Sequence, residues 1–278
     1  MVLCQISDLH VKAPGQLAYG VVDTSLMLQR CVARILALPQ PPDAVLATGD
    51  LVDGGRPEEY ARLRELLTPL PMPWYLMPGN HDARAPMLEA FPDHRYLRQM
   101  DGFLQYVIEG HRLRLVALDT LVPGAAGGAL CPQRLAWLER TLAQSTRPTV
   151  IALHHPPFAT GIAHMDCLGL QPDSSAALAR VIGVHPQVER VIAGHLHRPI
   201  HTRFAGTIAS TCPSPAHQVA LDLADDAAGA FVLEPPAFQV HLWNAGRLVT
   251  HTLYVDDFPG PYPFHGGPPG PYGGPTGR

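Results

Sequence analysis

Five short blocks of aspartate, asparagine and histidine run through the chain from Asp8 to His197, each at or just after a segment that reads as a buried strand. They are Asp8-Leu9-His10, Gly49-Asp50-Leu51-Val52-Asp53, Gly79-Asn80-His81-Asp82, His154-His155-Pro156-Pro157 and Gly194-His195-Leu196-His197. Strand ends are where loops gather to make sites, so the blocks demand a fold that brings those ends together. Asp8 and His10 are two apart, and in extended chain both would point to one face; the same holds for His195 and His197. Glycines at 49, 79 and 194 allow the tight backbone that brings separate side chains close. The chain has 15 histidines, an unusual supply of metal-binding nitrogen.

Composition sets the remaining bounds. With 278 residues, 46% hydrophobic and 16% charged, the chain can bury a sizeable core. It has no run of about 18 apolar residues, so a membrane-spanning helix is not expected. The opening MVLCQISDLH lacks the basic and apolar regions of a secretory signal. The net charge is -4, and Lys12 is the only lysine, which argues against broad nucleic-acid binding through a basic surface. Cys4, Cys31, Cys131, Cys167 and Cys212 form no C-x-x-C pair. They read as reduced, mostly buried thiols of a cytoplasmic protein.

The order of elements is strand and helix in alternation, then a strand-rich end. Strands are expected at 2–6, 44–47, 74–77, 149–153 and 188–193, with a hairpin of 103–109 and 113–118 around Gly110. Helices are expected from the Asp23 or Thr24 cap to about Leu38, from Pro57 to about Leu67, from Pro132 to about Gln144 and near 174–182. Extended segments follow at 199–204, 206–210, 219–223, 238–243 and 248–255. This order predicts an α/β fold, a four-layer α-β-β-α sandwich of two stacked mixed sheets flanked by helices, with a strand-rich C-terminal extension. One domain is expected over 1–257, of which about 205–257 is strand-rich and suited to oligomerisation or to closing a pocket. In residues 258–278, 14 of 21 are Pro or Gly, so this tail is expected to be disordered or to drape over a neighbour.

In this order and spacing the five blocks resemble the signature of the calcineurin-like metallophosphoesterases, over roughly residues 1–200. Within that superfamily they resemble the bacterial branch of cyclic-nucleotide phosphodiesterases and glycerophosphodiesterases. The stretches Tyr19-Gly20-Val21-Val22-Asp23, Arg56-Pro57-Glu58-Glu59-Tyr60 and Met165-Asp166 resemble its glycerophosphodiesterase side. The resemblance implies two divalent or trivalent transition-metal ions per chain, drawn from Fe, Mn, Zn or Co. Asp8, His10, Asp50 and His197 would hold one; Asp50, Asn80, His154 and His195 would hold the other, with Asp50 bridging. Carboxylate, imidazole and amide oxygen suit such ions, and the cysteines are not expected among the ligands. His155 is expected beside the ligands rather than among them, and Asp53 as an orienter of the ligands. Asp82 reads as a loop or cap residue. His94, His111, His185, His201, His241, His251 and His265 read as surface or strand histidines.

The implied reaction is metal-assisted hydrolysis of a small phosphodiester, a glycerophosphodiester or a 3',5'-cyclic nucleotide, by hydroxide attacking phosphorus in line. Asp50 and His81 would act in catalysis, and His81, His217 and Asn80 would meet the substrate. His81 could donate to a phosphoryl oxygen or protonate the leaving alkoxide. Arg198 is expected to face outward, and Lys12 could reach the site. Loops around 124–128, 160–170 and 212–217 would set specificity. A phosphomonoesterase, a nucleotide-sugar pyrophosphohydrolase and a non-catalytic interaction module are the competing readings. Relatives in this branch associate, so a homo-oligomer is expected, with Phe231-Val232-Leu233 and Phe238–Trp243 as apolar, edge-like segments.

Overall fold

The structure is a computed structural model that describes residues 1–264. In its first sheet, β1 (Val2–Ile6) runs parallel to β2 (Ala44–Thr48), and β2 parallel to β3 (Trp74–Met77). The sheet order is completed on the far side of β1 by two antiparallel strands from the other end of the chain. In the second sheet the short β4 (Tyr106–Ile108) lies antiparallel to β5 (Arg114–Leu118), and β6 (Thr149–Leu153) and β7 (Val188–Ala193) follow in parallel. The edge hairpin is β8 (His201–Phe204) with β9 (Thr207–Thr211), of which β9 is parallel to β7. A two-residue ribbon, β10 (Gln218–Val219) with β11 (Phe231–Val232), stands apart from both sheets. The chain then returns to the first sheet as β12 (Ala237–Asn244), beside β1, and β13 (Arg247–Tyr254), the outermost strand.

Helices cover the outer faces, as the α-β-β-α order requires. α1 (Thr24–Leu36) starts where the Asp23 carboxylate accepts from Leu26 N, and buries Leu28, Cys31, Val32 and Ile35 at helical spacing. α2 (Pro57–Leu67) begins at a proline, and its Glu59 carboxylate accepts from the N–H groups of Gly54 and Arg56. α3 (Arg84–Ala90) packs on α2, while α4 (Pro132–Ala143) packs on α6 (Pro172–Gly183); α5 (Ala163–Asp166) is a single turn between them in sequence. One hydrophobic core reaches from Leu3 to Val255. No helix among the described residues is long and apolar enough to cross a membrane.

The sheets are joined by a buried chain of polar side chains as well as by apolar packing. Gln5 of β1 donates through Nε2 to Thr48 Oγ1 (2.9 Å) and to Ala193 O of the second sheet (3.0 Å). Its Oε1 accepts from His241 Nε2 (3.0 Å), whose Nδ1 accepts from the Thr250 hydroxyl (2.8 Å). Gln5, Thr48 and His241 are buried and Thr250 is half-buried, and a buried group left without a partner costs about 1–3 kcal/mol, so the chain fixes how the two sheets meet.

Two expectations are corrected. Phe238–Trp243 is no edge: it lies in β12, flanked on both sides, and Phe238 is fully buried. The extended reading of 219–223 holds only for Val219, because beyond it the chain turns at Asp222, whose Oδ1 accepts from Ala224 N, and Leu221 and Leu223 stand exposed. His241, read as a surface or strand histidine, stands in β12 and is buried. The α3 helix escapes sequence reading because it is only seven residues long and contains Pro86. Residues 258–264 carry no helix or strand; His265 and the rest of the predicted tail lie outside the described residues.

Burial, with the positive charges of Arg190 and His201 nearby, pushes His241 down to about 3. The folded protein therefore takes up this proton less readily than the unfolded chain, whose histidine titrates near about 6.5. The stabilisation is complete above that value and is lost as pH falls from about 6.5 toward 3, by up to about 1.4 kcal/mol per pH unit. Denaturant unfolding of wild type and His241→Gln between pH 7 and 4 should show the shallower acid slope in the variant. Parallel slopes would contradict the assignment.

Candidate metal centre

The five sequence blocks sit at the C-terminal ends of β1, β2, β3, β6 and β7, so both sheets contribute to one face. Asp8 and His10 do come together, but not by strand alternation. β1 ends at Ile6, and Asp8 (φ 57°), His10 (φ 45°), Asp50 (φ 48°), His195 (φ 70°) and His197 (φ 53°) all have left-handed backbones. Each such residue costs roughly 1–2 kcal/mol relative to an ordinary conformation, and clusters of them mark functional sites. Hydrogen bonds between the loops hold them: Asp8 N to Gly49 O (3.0 Å), His10 N to Asp50 O (2.9 Å), and His195 N to Asp8 Oδ1 (2.9 Å). The loops also touch closely. A Cβ at Gly79 would fall on the Asp50 carboxylate, and one at Gly49 on the His154 ring.

The ring nitrogens are oriented for a cation. His10 Nδ1 donates to Asp53 Oδ1 (3.3 Å), His197 Nδ1 to His217 O (2.9 Å), and His154 Nδ1 to Thr48 O (2.8 Å). Each bond leaves Nε2 with a lone pair. The Nε2 atoms of His10 and His197 then face one another at 3.3 Å. His154 Nε2 faces two oxygens, Asn80 Oδ1 at 3.1 Å and Asp50 Oδ1 at 3.4 Å. His195 Nε2 is buried with no partner among the described residues. Lone pairs pointed at one another inside a protein require a positive charge between them, so this donor set fits metal ions.

Asp50 stands between two groups of donors. Its Oδ2 lies 3.6 Å from His10 Nε2 and its Oδ1 3.4 Å from His154 Nε2. Asp8, with His10 and Asp50, presents ligand atoms within 4.8 Å of one another, and Asp8 Oδ1 is 3.6 Å from His197 Nε2. Burial alone would raise the Asp50 carboxyl, yet the surrounding His154, His81 and His10 hold it well below the usual carboxylate range. Burial opposes a charge on His154 too, but Asp50 lifts it to about 9; burial pushes His197 down to about 4 and His195 further. The field thus favours positive charge beside Asp50 and neutral imidazoles around it.

The supporting residues fall largely where expected. Asp53 accepts from His10 and from Lys12, so Lys12 reaches the network but is tied to a carboxylate. Asp82 accepts from Gly79 N (2.8 Å), Leu51 N (3.1 Å) and the Tyr60 hydroxyl (2.9 Å), binding the Asp50 and Asn80 loops together. His155 has both ring nitrogens engaged, Nδ1 with Thr120 Oγ1 (2.8 Å) and Nε2 with Ala126 O (3.0 Å), and so offers no free lone pair. Arg198 does not face outward. Its Nη1 donates to Val219 O (2.9 Å) and Glu234 Oε2 (2.7 Å), fastening the β10–β11 ribbon to the His195–His197 loop.

A cavity of about 310 Å³ opens over these residues. His81 lines it, with Nδ1 donating to Asp53 O (2.8 Å) and Nε2 left free. His217 lines it as well; burial beside His197 and His10 pushes its ring down to about 2, so it is neutral. Tyr19, His164, Met165, Leu168 and Phe231 complete the walls. Ala126, His164, Met165, Leu168 and His217 come from loops expected to set specificity, whereas Phe231 was expected only as part of an apolar, edge-like segment. These are pocket residues only because a ribbon and a single helical turn fold over the strand ends.

The calcineurin-like phosphoesterase family matches residues 1–199 of the chain. The probable glycerophosphodiester phosphodiesterase GpdQ of Arcobacter nitrofigilis is 40% identical over 95% of this chain and 97% of its own length. A probable cyclic nucleotide phosphodiesterase of Rhodopseudomonas palustris is 37% identical over 88% of this chain and 89% of its own. Among solved structures, a dimetal phosphatase from Danio rerio shares the fold with a TM-score of 0.66 at 16% identity, covering 92% of this chain and 97% of its own. With block order, strand-end geometry and these matches in agreement, the chain belongs to the calcineurin-like phosphoesterase family.

Proposed function

We propose that this protein is a dinuclear, metal-dependent phosphodiesterase acting on small diesters, a glycerophosphodiester or a 3',5'-cyclic nucleotide. The observation that carries the reading is the Asp50 carboxylate, with one oxygen toward His10 and the other toward His154. Asp8, His10, Asp50 and His197 would hold one ion, and Asp50, Asn80, His154 and His195 the other. Iron, manganese, zinc or cobalt all suit these nitrogen and oxygen donors. Bound there, two such ions would supply positive charge toward a phosphoryl group and lower the pKa of water toward neutrality.

The protein's part is to orient and to exclude. Asp53 and the carbonyls of Thr48 and His217 fix the imidazole tautomers, so that the lone pairs converge before substrate arrives. His81, anchored through Nδ1, has Nε2 available to hydrogen-bond a phosphoryl oxygen or to give a proton to the departing alkoxide. His217 supplies a neutral ring beside it. Among the described residues no lysine or arginine lines the cavity, and Lys12 is paired with Asp53. A monoanionic diester therefore matches this surface better than a dianionic monoester, which calls for arginine forks or a lysine. The five free cysteines support a reducing, cytoplasmic setting. Exposed Leu233 and Val249 are apolar surface that a second copy of the chain could cover, which supports a homo-oligomer built on a catalytic unit of residues 1–257.

Three measurements test this. Chelation should abolish turnover, and elemental analysis should find two transition metals per chain; Asp50→Ala should lose both and reduce kcat/KM by more than about a hundredfold. Full activity in metal-free protein would overturn the reading. With one metal and pH, bis(p-nitrophenyl) phosphate should show a higher kcat/KM than p-nitrophenyl phosphate, and the reverse order would make the protein a monoesterase. Light scattering at micromolar concentration should give a mass of at least two chains, whereas a strict monomer would remove the assembly proposal.

A further inference from the structure

The cavity has a polar floor and an aromatic rim, and the rim is built from an unusual backbone. Tyr19 stacks on Phe231, with ring centroids 4.8 Å apart and planes 29° from parallel. His217 meets both edge-on, 5.3 Å from Tyr19 and 5.4 Å from Phe231. It also lies 4.6 Å from His197. Aromatic rings thus continue without a break from the candidate ligands to the mouth of the cavity.

Tyr19 is held there against its conformational preference. Ala18 and Val22 pair in both directions (2.9 and 3.0 Å), and Val21 N donates to Ala18 O (3.1 Å) across Tyr19 and Gly20. Both central residues have positive φ, 52° and 73°. Such mirror-image turns favour glycine, asparagine or aspartate, and an aromatic residue there is strained. Burial does not account for it, since Tyr19 is 57% exposed. Phe231 is placed independently by β11, in the ribbon that Arg198 fastens through Val219 and Glu234. Two segments far apart in sequence, one of them strained, deliver two stacked rings to the rim of one cavity.

We propose that Tyr19 and Phe231 are specificity-determining residues, an apolar wall that receives an alcohol arm of the diester. It favours arms with an aromatic or apolar face over small arms without one. The inference rests on the phosphodiesterase reading of the same cavity. The floor meets the phosphoryl group, which all diesters share, and discrimination falls to what lies beyond it. There Met165, Leu168 and Val219 join the two rings, and among the described residues no lysine or arginine lines the cavity to select a charged arm. Contact with this wall adds binding energy remote from phosphorus, which can position the ester.

Calorimetric binding to metal-loaded protein separates this proposal from the catalytic one, because it needs no turnover. The probes are diphenyl phosphate, with two aromatic arms, and dimethyl phosphate, with none. Tyr19→Gly and Phe231→Ala should each weaken diphenyl phosphate by about tenfold, the scale of one aromatic contact, and change dimethyl phosphate by less than about twofold. Because the rings act as a pair, the double variant should lose little more than the worse single one. Tyr19→Phe should bind as wild type. Glycine relieves the left-handed strain, so Tyr19→Gly should keep or raise Tm while it loses the aryl ligand. Equal weakening of both ligands, or unchanged binding of diphenyl phosphate, would overturn the proposal. Absence of diester hydrolysis in wild type with the binding pattern intact would instead overturn the catalytic reading alone.

Discussion

The Asp50 carboxylate lies within 3.6 Å of imidazole nitrogens on two sides, and most of the fold can be understood as the means of keeping it there. Nitrogen lone pairs that converge inside a protein repel one another, and a buried carboxylate is costly to ionise without positive charge nearby. Neither group would choose this place alone. Asp50 offsets the burial of His154, His154 and its neighbours hold Asp50 ionised, and carbonyl oxygens at Thr48 and His217 stop the rings from turning their N–H groups inward. Clustered carboxylate and imidazole donors of this kind could hold metal ions, whose charge would satisfy both groups.

Backbone strain is the second cost of that convergence. Five of the seven candidate ligands stand in the left-handed region, where each loses roughly 1–2 kcal/mol. A loop left to itself would relax. Here the loops after β1 and β2 are hydrogen-bonded to one another, and Asp82 ties the Asp50 and Asn80 loops through two backbone N–H groups. Behind them lie fully buried strands, so relaxation would disturb a core that runs from Leu3 to Val255. The core supplies the stability against which the site is strained.

The relation between the two sheets decides whether there is a site at all. Asp8, Asp50 and Asn80 follow strands of the first sheet, whereas His154, His195 and His197 follow strands of the second. Neither set alone surrounds a cation pair. The polar chain from Ala193 through Gln5 to His241 and Thr250 crosses the interface and penalises any sliding of one sheet on the other, because a shift would leave several buried groups unpaired. The C-terminal strands take part in this contact, so the end of the chain stabilises the site without supplying a candidate ligand.

Much of this was legible in the residues themselves. Strands such as Val2–Ile6 and Thr149–Leu153 are short apolar runs with polar stops, α2 opens on its proline, and the metal-binding residue types stand at the strand ends. These are local signals, set by burial and by chain stiffness within a few residues. The reason Asp8 and His10 converge was not legible, since alternation along an extended strand suggested it and left-handed backbone achieves it. Nor was the central position of β12, because which strand covers which depends on partners more than two hundred residues away. The place of Phe231 in the cavity wall and the role of Arg198 were hidden for the same reason. The sequence by itself determined the secondary elements, the family and the chemical identity of the donors. Only the tertiary structure decided which lone pairs face one another, which side chains wall the cavity and what is strained to put them there, because those are properties of distance in space and not of order along the chain.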